Sequence, residues 1–153
     1  MELLIPILVA LIAASVALVG LITQQRATAK HRFTERRQQL YIDLWVECKR
    51  HCQEVANQVG WRWSGRHGAG PSVGSTDKAE LSVLALDLLA PWGVRHSARQ
   101  LYQSTVRLGA RFARFDDDSW VPDPDDWNRL YAHWEMRAKD FLAIAHVNLT
   151  DPG

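Results

Sequence analysis

The chain has 153 residues and a formal net charge of +1, with 18 Lys and Arg against 17 Asp and Glu. This balance excludes a strong overall attraction to nucleic acid, so no nucleic-acid partner is expected. Two cysteines are too few for a secreted disulfide framework.

The first segment, residues 3–22, contains no charged side chain, and Ser15 is its only polar one. A helix of about 20 residues spans about 30 Å, the thickness of the hydrocarbon layer of a membrane. We therefore predict a transmembrane anchor over residues 1–23. A cleaved signal peptide is the alternative, but no basic residue precedes the apolar run, which is also longer than such a peptide needs.

Basic residues follow the predicted anchor, and positive loops stay on the cytoplasmic side of a membrane. The sequence thus predicts a single-pass protein of the plasma membrane with its N-terminus outside and its C-terminal domain in the cytoplasm. Residues 24–39 are predicted to form a basic juxtamembrane helix that attracts anionic lipid headgroups of the bilayer. The headgroup candidates are Arg26, Lys30, Arg32, Arg36 and Arg37.

Small residues recur at helical spacing inside the predicted anchor. Such a face lets two membrane helices approach closely and favours pairing, although alanine is also simply common in bacterial membrane helices. The helix-pairing candidates are Ala10, Ala13, Ala14, Ala17 and Gly20.

Residues 40–150 are predicted to form a cytoplasmic helical bundle. Its first helix carries an apolar seam with spacings of three and four residues. The seam consists of Tyr41, Trp45, Cys48, Cys52, Val55 and Val59. The Gly-rich segment 60–76 then predicts a flexible loop. Its Trp61 and Trp63 either fold back onto the bundle or serve in contacts with nucleobases or a membrane interface.

A short, Leu-rich helix is predicted from Lys78 to Ala90, with Asp77 as its N-cap and Glu80 completing a capping box. It is apolar nearly all round, which is typical of a helix buried on several sides. Its predicted core face consists of Leu81, Leu84 and Leu88.

Two further amphipathic helices follow. The first has apolar residues at spacings of three and four from Val94 to Phe115, and the second runs from Pro124 to about residue 148, with Asp123 as N-cap. Between them, residues 116–123 form a predicted acidic loop, which lacks the alternating oxygens and central Gly of an EF-hand calcium site.

The predicted fold class is all-α: an N-terminal transmembrane helix followed by an antiparallel helical bundle of three long helices and one short helix. The order of ERRQQLYIDLWVEC, LSVLALDLLAPWGVRHSARQLY and FLAIAHVNL resembles uncharacterised small single-pass membrane proteins of bacteria, of a type common in actinobacteria. The resemblance implies this architecture and no activity.

We find no phosphate-binding loop, nucleophile elbow or metalloprotease motif, so we predict no enzyme and no cofactor. The weak metal candidates are Cys48, His51 and Cys52, whose two cysteines also fit a core seam. The favoured hypothesis is a membrane-anchored helical interaction or scaffold module that binds a protein partner or forms a homo-oligomer. The alternatives are a metal or redox sensor that uses Cys48 and Cys52, and a phage or mobile-element membrane protein.

Overall fold

The structure, a computed structural model, describes residues 4–66, 70–113 and 120–150; for residues 4–19, 27 and 30 it describes the backbone but not the side chains. The regular structure in these ranges is helical throughout, which confirms the predicted all-α class. The helices are α1 (Leu4–Trp63), α2 (Asp77–Leu89), α3 (Trp92–Phe112) and α4 (Pro124–Thr150).

The chain divides into two units, Met1–Arg36 and Arg37–Gly153. Among the residues that the structure describes, no helix is both long enough and apolar enough to cross a membrane. The side chains of residues 4–19, which make up most of the predicted anchor, lie outside that part of the chain. The transmembrane anchor therefore stays a prediction.

Helix α1 ends later than predicted, because Gly60 does not interrupt it and the helix continues to Trp63. Gly65 closes the helix with a φ of 70°, a conformation that glycine adopts without strain. Its N–H donates to the carbonyl oxygen of Arg62 at 3.1 Å. The prediction that the loop starts at residue 60 was therefore wrong by four residues.

In the second unit, α4 runs antiparallel to α1. The Tyr41 hydroxyl donates to Oδ1 of Asn148 at 2.9 Å, and the Trp63 indole N–H donates to the carbonyl oxygen of Pro122 at 2.8 Å. Early residues of this part of α1 thus meet the end of α4, and its last residues meet the segment before α4. The predicted antiparallel packing is confirmed for this pair.

Helix α3 is also antiparallel to α4. The indole N–H of Trp134 donates to Oγ1 of Thr105 at 2.9 Å, and Phe112 meets Trp127 edge-to-face at 5.2 Å. From Trp127 to Trp134 the chain advances along α4, while the partner in α3 moves back from Phe112 to Thr105. The two helices therefore run in opposite directions. Thr105 also lies beside Cys48 of α1, so α3 packs against α1 and α4 at once.

The bundle core contains the apolar seams that the sequence predicted. Cys48, Cys52 and Val55 of α1 are buried, as are Leu101 of α3 and Phe141 of α4. Buried polar residues interrupt this core, and Gln58, which was placed outside the seam, is only 1% exposed. The spacing of apolar residues therefore predicted the faces but missed this amide.

The predicted core face of α2 was wrong. Leu81, Leu84 and Leu88 are 65%, 54% and 87% exposed, respectively. The face that α2 buries consists instead of Ala79, Ser82, Val83 and Leu86. Since α2 is apolar nearly all round, periodicity alone does not choose between its faces. The face with the smaller side chains lets α2 lie closer to the rest of the bundle, and this face is buried.

The two predicted caps also differ in outcome. Thr76, not Asp77, is the N-cap of α2, and it makes no side-chain cap bond; Asp77 is the first helical residue. At α4, Oδ1 of Asp123 accepts the backbone N–H of Asp125 at 3.2 Å, which confirms Asp123 as the N-cap. Pro124 is the first helical residue, as predicted.

Candidate functional site

The cysteine pair is part of the core. Cys48 is fully buried and Cys52 is 2% exposed, and both are free thiols. Burial raises the pKa of Cys48 to about 11, and burial together with the neighbouring Cys48 raises the pKa of Cys52 to about 12. Both sulfurs are therefore protonated at neutral pH, the form that neither binds metal well nor attacks as a nucleophile.

His51 points away from the two cysteines. Its Nδ1 lies 3.0 Å from the carbonyl oxygen of Gly74, in the loop before α2, and the side chain is 6% exposed. Its Nε2 faces Gly109 of α3, where a Cβ would come within 2.5 Å. In the ranges that the structure describes, no group of three or more His, Cys, Asp or Glu side chains is placed to hold a metal ion. The structure thus does not assemble Cys48, His51 and Cys52 into one site.

The lipid-headgroup candidates fall into both units. Arg26, Arg32 and Arg36 are exposed in the first unit, and the side chain of Lys30 lies outside the described residues. Arg37 belongs to the second unit and is half-buried, and its charge lowers the pKa of Tyr41 against the larger effect of burial. Unlike Arg26, Arg32 and Arg36, Arg37 is therefore partly shielded by the protein, which the sequence did not predict.

Among the helix-pairing candidates, the side chains of Ala10, Ala13, Ala14 and Ala17 lie outside the described residues. Gly20 is exposed, with open space where a Cβ would stand. Pairing of this face stays a prediction.

The tryptophans of the Gly-rich segment fold back onto the protein. Gly70 packs against Trp61, where a Cβ would come within 3.1 Å of Cδ1 of the indole, and the Arg66 guanidinium lies 4.9 Å from the same ring. Trp63 is fixed by its bond to Pro122. Residues 67–69 and 114–119, which include the three consecutive aspartates 116–118, lie outside the described part of the chain.

A groove of about 510 Å³ lies between α1 and α4. Trp45 and Trp134 stack with their ring centres 6.1 Å apart and their planes 17° apart, and Tyr131 lies 6.0 Å from Trp134. Cys52 borders the groove, together with Ala56 and Ala138 from the two facing helices. These short side chains leave the space that larger residues would fill.

Charged side chains surround the same groove. Lys49 and Lys139 come from facing helices, and the Lys49 ammonium lies 5.9 Å from the centre of the Trp45 ring. Burial raises the pKa of Tyr131, and nearby Cys52 and Glu135 raise it further, so the phenol is neutral at physiological pH. The groove therefore combines aromatic walls, two cations and one carboxylate.

A second surface feature is an apolar stripe on α2. We call Leu81, Leu84 and Leu88 the leucine stripe; their spacing of three and four residues puts them on one face of the helix. Val46 of α1 and Leu81 line the same shallow cleft, and Ile42, one turn before Val46, is exposed as well. The stripe therefore continues onto a neighbouring helix.

Comparison with known protein families, curated proteins and solved structures finds no match to this chain. The resemblance to bacterial single-pass membrane proteins thus stays a prediction. Both surface features are read from the geometry of this chain alone.

The sequence had placed Trp45 on the apolar seam of the first helix but had not indicated a groove. A signal was available in the lysines, because Lys49 and Lys139 each lie four residues after a groove residue, Trp45 and Glu135. That spacing identifies neighbours on one helix. It does not show which helix lies opposite, so the groove required the tertiary structure.

Proposed function

We propose that this protein is a membrane-anchored helical interaction module that self-associates through the leucine stripe. The apolar run over residues 3–22 supports the anchor, and the basic residues after it support a cytoplasmic location of the bundle. The observation that carries the proposal is the exposure of the leucine stripe, whose side chains are 65%, 54% and 87% exposed on one face of α2.

The area of the stripe suits a second copy of the chain. With Ile42 and Val46, the three leucines expose roughly 500 Å² of apolar surface, near the upper end of the largest patches on ordinary monomers. Two such surfaces would bury on the order of 1,000 Å², the lower limit for a specific interface.

The charges around the leucine stripe favour a protein as its binding partner over a surface of anionic lipid. Helix α2 carries Asp77, Glu80 and Asp87 but only one basic residue, Lys78. An acidic surface is repelled by anionic headgroups.

Sedimentation of the full chain in lipid nanodiscs or detergent tests the proposal. We expect a dimer for the unaltered chain and a monomer for the double variant Leu84→Gln/Leu88→Gln. The matched control is Met136→Gln/Val147→Gln, which also removes two exposed apolar side chains but lies on α4. A monomeric unaltered chain, or a dimer that survives the α2 changes, contradicts self-association through the stripe.

A third variant separates the stripe from the predicted anchor face. Ala13→Leu/Ala17→Leu enlarges the small residues there and is expected to leave the dimer intact. Loss of the dimer in this variant alone would place pairing in the anchor and refute the role of α2. A reporter fused after Gly153 tests the orientation separately, since a signal from outside the cell would contradict the cytoplasmic location.

A further inference from the structure

The groove between α1 and α4 has the properties of a small-molecule site. Ligand sites are concave, largely apolar cavities of roughly 300–1,000 Å³ with a few polar groups that fix orientation. At about 510 Å³ the groove falls inside this range. None of the three leucines of the stripe lines the groove, so the inference does not depend on self-association.

The walls favour a flat, apolar ligand body. Trp45 and Tyr131 are only half-buried, so part of each ring faces the groove, whereas Trp134 behind them is 5% exposed. Trp134 is held in place by its bond to Thr105, and it supports Trp45 by stacking. Aromatic surfaces fixed in this way gain most from an offset-stacked or edge-to-face aromatic partner.

The rim favours an acidic head group. Lys49 and Lys139 are exposed, and across the described residues no carboxylate oxygen lies within 4 Å of either ammonium. Glu135 also faces the groove, so the formal charge of its lining is +1. Two cations from opposite helices can contact one carboxylate or sulfonate at the mouth while the apolar body lies below.

We propose that this groove binds a small aromatic acid, with its ring system against Trp45 and Tyr131 and its acidic group near Lys49 and Lys139. Cys52 faces the ligand as a neutral thiol and contributes apolar contact rather than chemistry. Ala56 and Ala138 provide the depth that the ring system needs.

Calorimetric titration of the full chain in lipid nanodiscs, with empty nanodiscs as background, tests the site. The probes are 2-naphthoate and its neutral counterpart 2-naphthamide. We expect saturable binding of both at one site per chain, with the acid preferred. No saturable binding of the acid, or equal affinity for the two probes, would overturn the proposal.

Two sets of variants localise the binding. The double variant Lys49→Gln/Lys139→Gln is expected to lower the affinity for 2-naphthoate by about five-fold or more, since exposed ion pairs contribute modestly. The affinity for 2-naphthamide should not change. Lys78→Gln, an exposed lysine on α2, is the matched control and should leave both affinities unchanged. Retained affinity for the acid in the double lysine variant contradicts the role of these cations.

Ala138→Leu fills the groove and should abolish binding of both probes. If circular dichroism shows that this variant is unfolded, Ala56→Leu, at a less buried position, takes its place. If a folded variant with leucine in the groove still binds the probes, the proposed location of the site is wrong. Laurate, kept below its micelle concentration, is titrated in the same way as a chain-type ligand; tighter binding of laurate than of 2-naphthoate at this site would identify a lipid site instead.

Discussion

At the scale of single residues, His51 and Gly109 form a close contact between α1 and α3. His51 of α1 faces the backbone of Gly109, and a Cβ on Gly109 would stand 2.5 Å from Nε2 of the imidazole. His51 is itself held from the other side by the carbonyl oxygen of Gly74. Because a shift of the ring away from Gly109 would disturb its bond to Gly74, packing rather than backbone conformation favours glycine at position 109.

Gly109→Ala should therefore lower the free energy of unfolding by about 1–3 kcal/mol, the usual cost of overpacking a core. Gly60→Ala is the matched control, because Gly60 is also helical but has open space around it. That control should be neutral or slightly stabilising, since alanine favours helix by up to about 1 kcal/mol. Urea unfolding followed by circular dichroism measures both; equal effects of the two changes would show that the His51 contact does not limit packing.

The same histidine predicts a dependence of stability on pH. Burial lowers the pKa of His51, and nearby Arg50 also lowers it, whereas the bond to Gly74 and the charge of Glu54 act in the opposite direction. The neutral ring is thus favoured in the folded state, while the unfolded chain takes up a proton near pH 6.5. Stability should be constant above that pH and fall as the pH drops toward the lowered pKa of the folded state.

Unfolding of His51→Asn in urea between pH 7.5 and pH 5 checks this dependence. The asparagine amide keeps a donor near Gly74 but does not titrate, so the slope should flatten. His96→Asn changes an exposed histidine instead and should keep the slope of the unaltered chain. Asp126, whose pKa is lowered by Arg111 and Arg129, titrates at lower pH and does not affect this range. An unchanged slope in His51→Asn would assign the dependence to other groups.

At the scale of helices, the sequence predicted faces well where one side of the helix is polar. Helix α3 carries arginines opposite its apolar residues, and its predicted seam residues Val94, Leu101 and Leu108 are buried. Helix α2 has no such contrast, and its face was predicted wrongly. Which side of α2 packs depends on the contour of the neighbouring helices, and that information lies in residues distant along the chain.

The caps of α2 and α4 predict unequal sensitivity to mutation. Asp123 accepts a backbone N–H at the start of α4, so Asp123→Ala should cost about 1 kcal/mol of unfolding free energy. Asp123→Ser keeps an acceptor and should recover most of this loss. Thr76→Ala at the start of α2 should cost less, because Thr76 makes no side-chain cap bond. Thermal unfolding compares the three; a larger loss at Thr76 would contradict the capping difference.

At the scale of the whole molecule, the bundle encloses Cys48 completely, whereas Cys52, at 2% exposure, borders the groove. Cys48 and Cys52 lie in one core with residues from all four helices, and their raised pKa values keep them protonated. The groove belongs to the same scale, since its lining comes from residues 45–57 and 131–142. No local pattern joins segments so far apart, which is why the cavity between them was not predicted.

Alkylation of Cys48 should therefore report opening of the whole bundle. In the folded protein at pH 8, iodoacetamide should label Cys48 slowly, and Gly109→Ala should accelerate this labelling by the factor by which it raises the population of the open state. Ser64→Cys provides an exposed thiol for comparison within the same chain. Mass spectrometry follows both sites, and labelling of Cys48 as fast as that of the exposed thiol would contradict a closed core.

The bond between Tyr41 and Asn148 has a mechanical consequence. It joins the first turns of the second unit to the end of α4, so both ends of this unit lie at the same side of the bundle. Tension applied through residues 37 and 150 would pull α1 and α4 apart from one end. The contacts between the two helices would then break one after another, instead of bearing the force together. We expect the bundle to open at low force under such a pull, and to resist more strongly when held at residues 37 and 122.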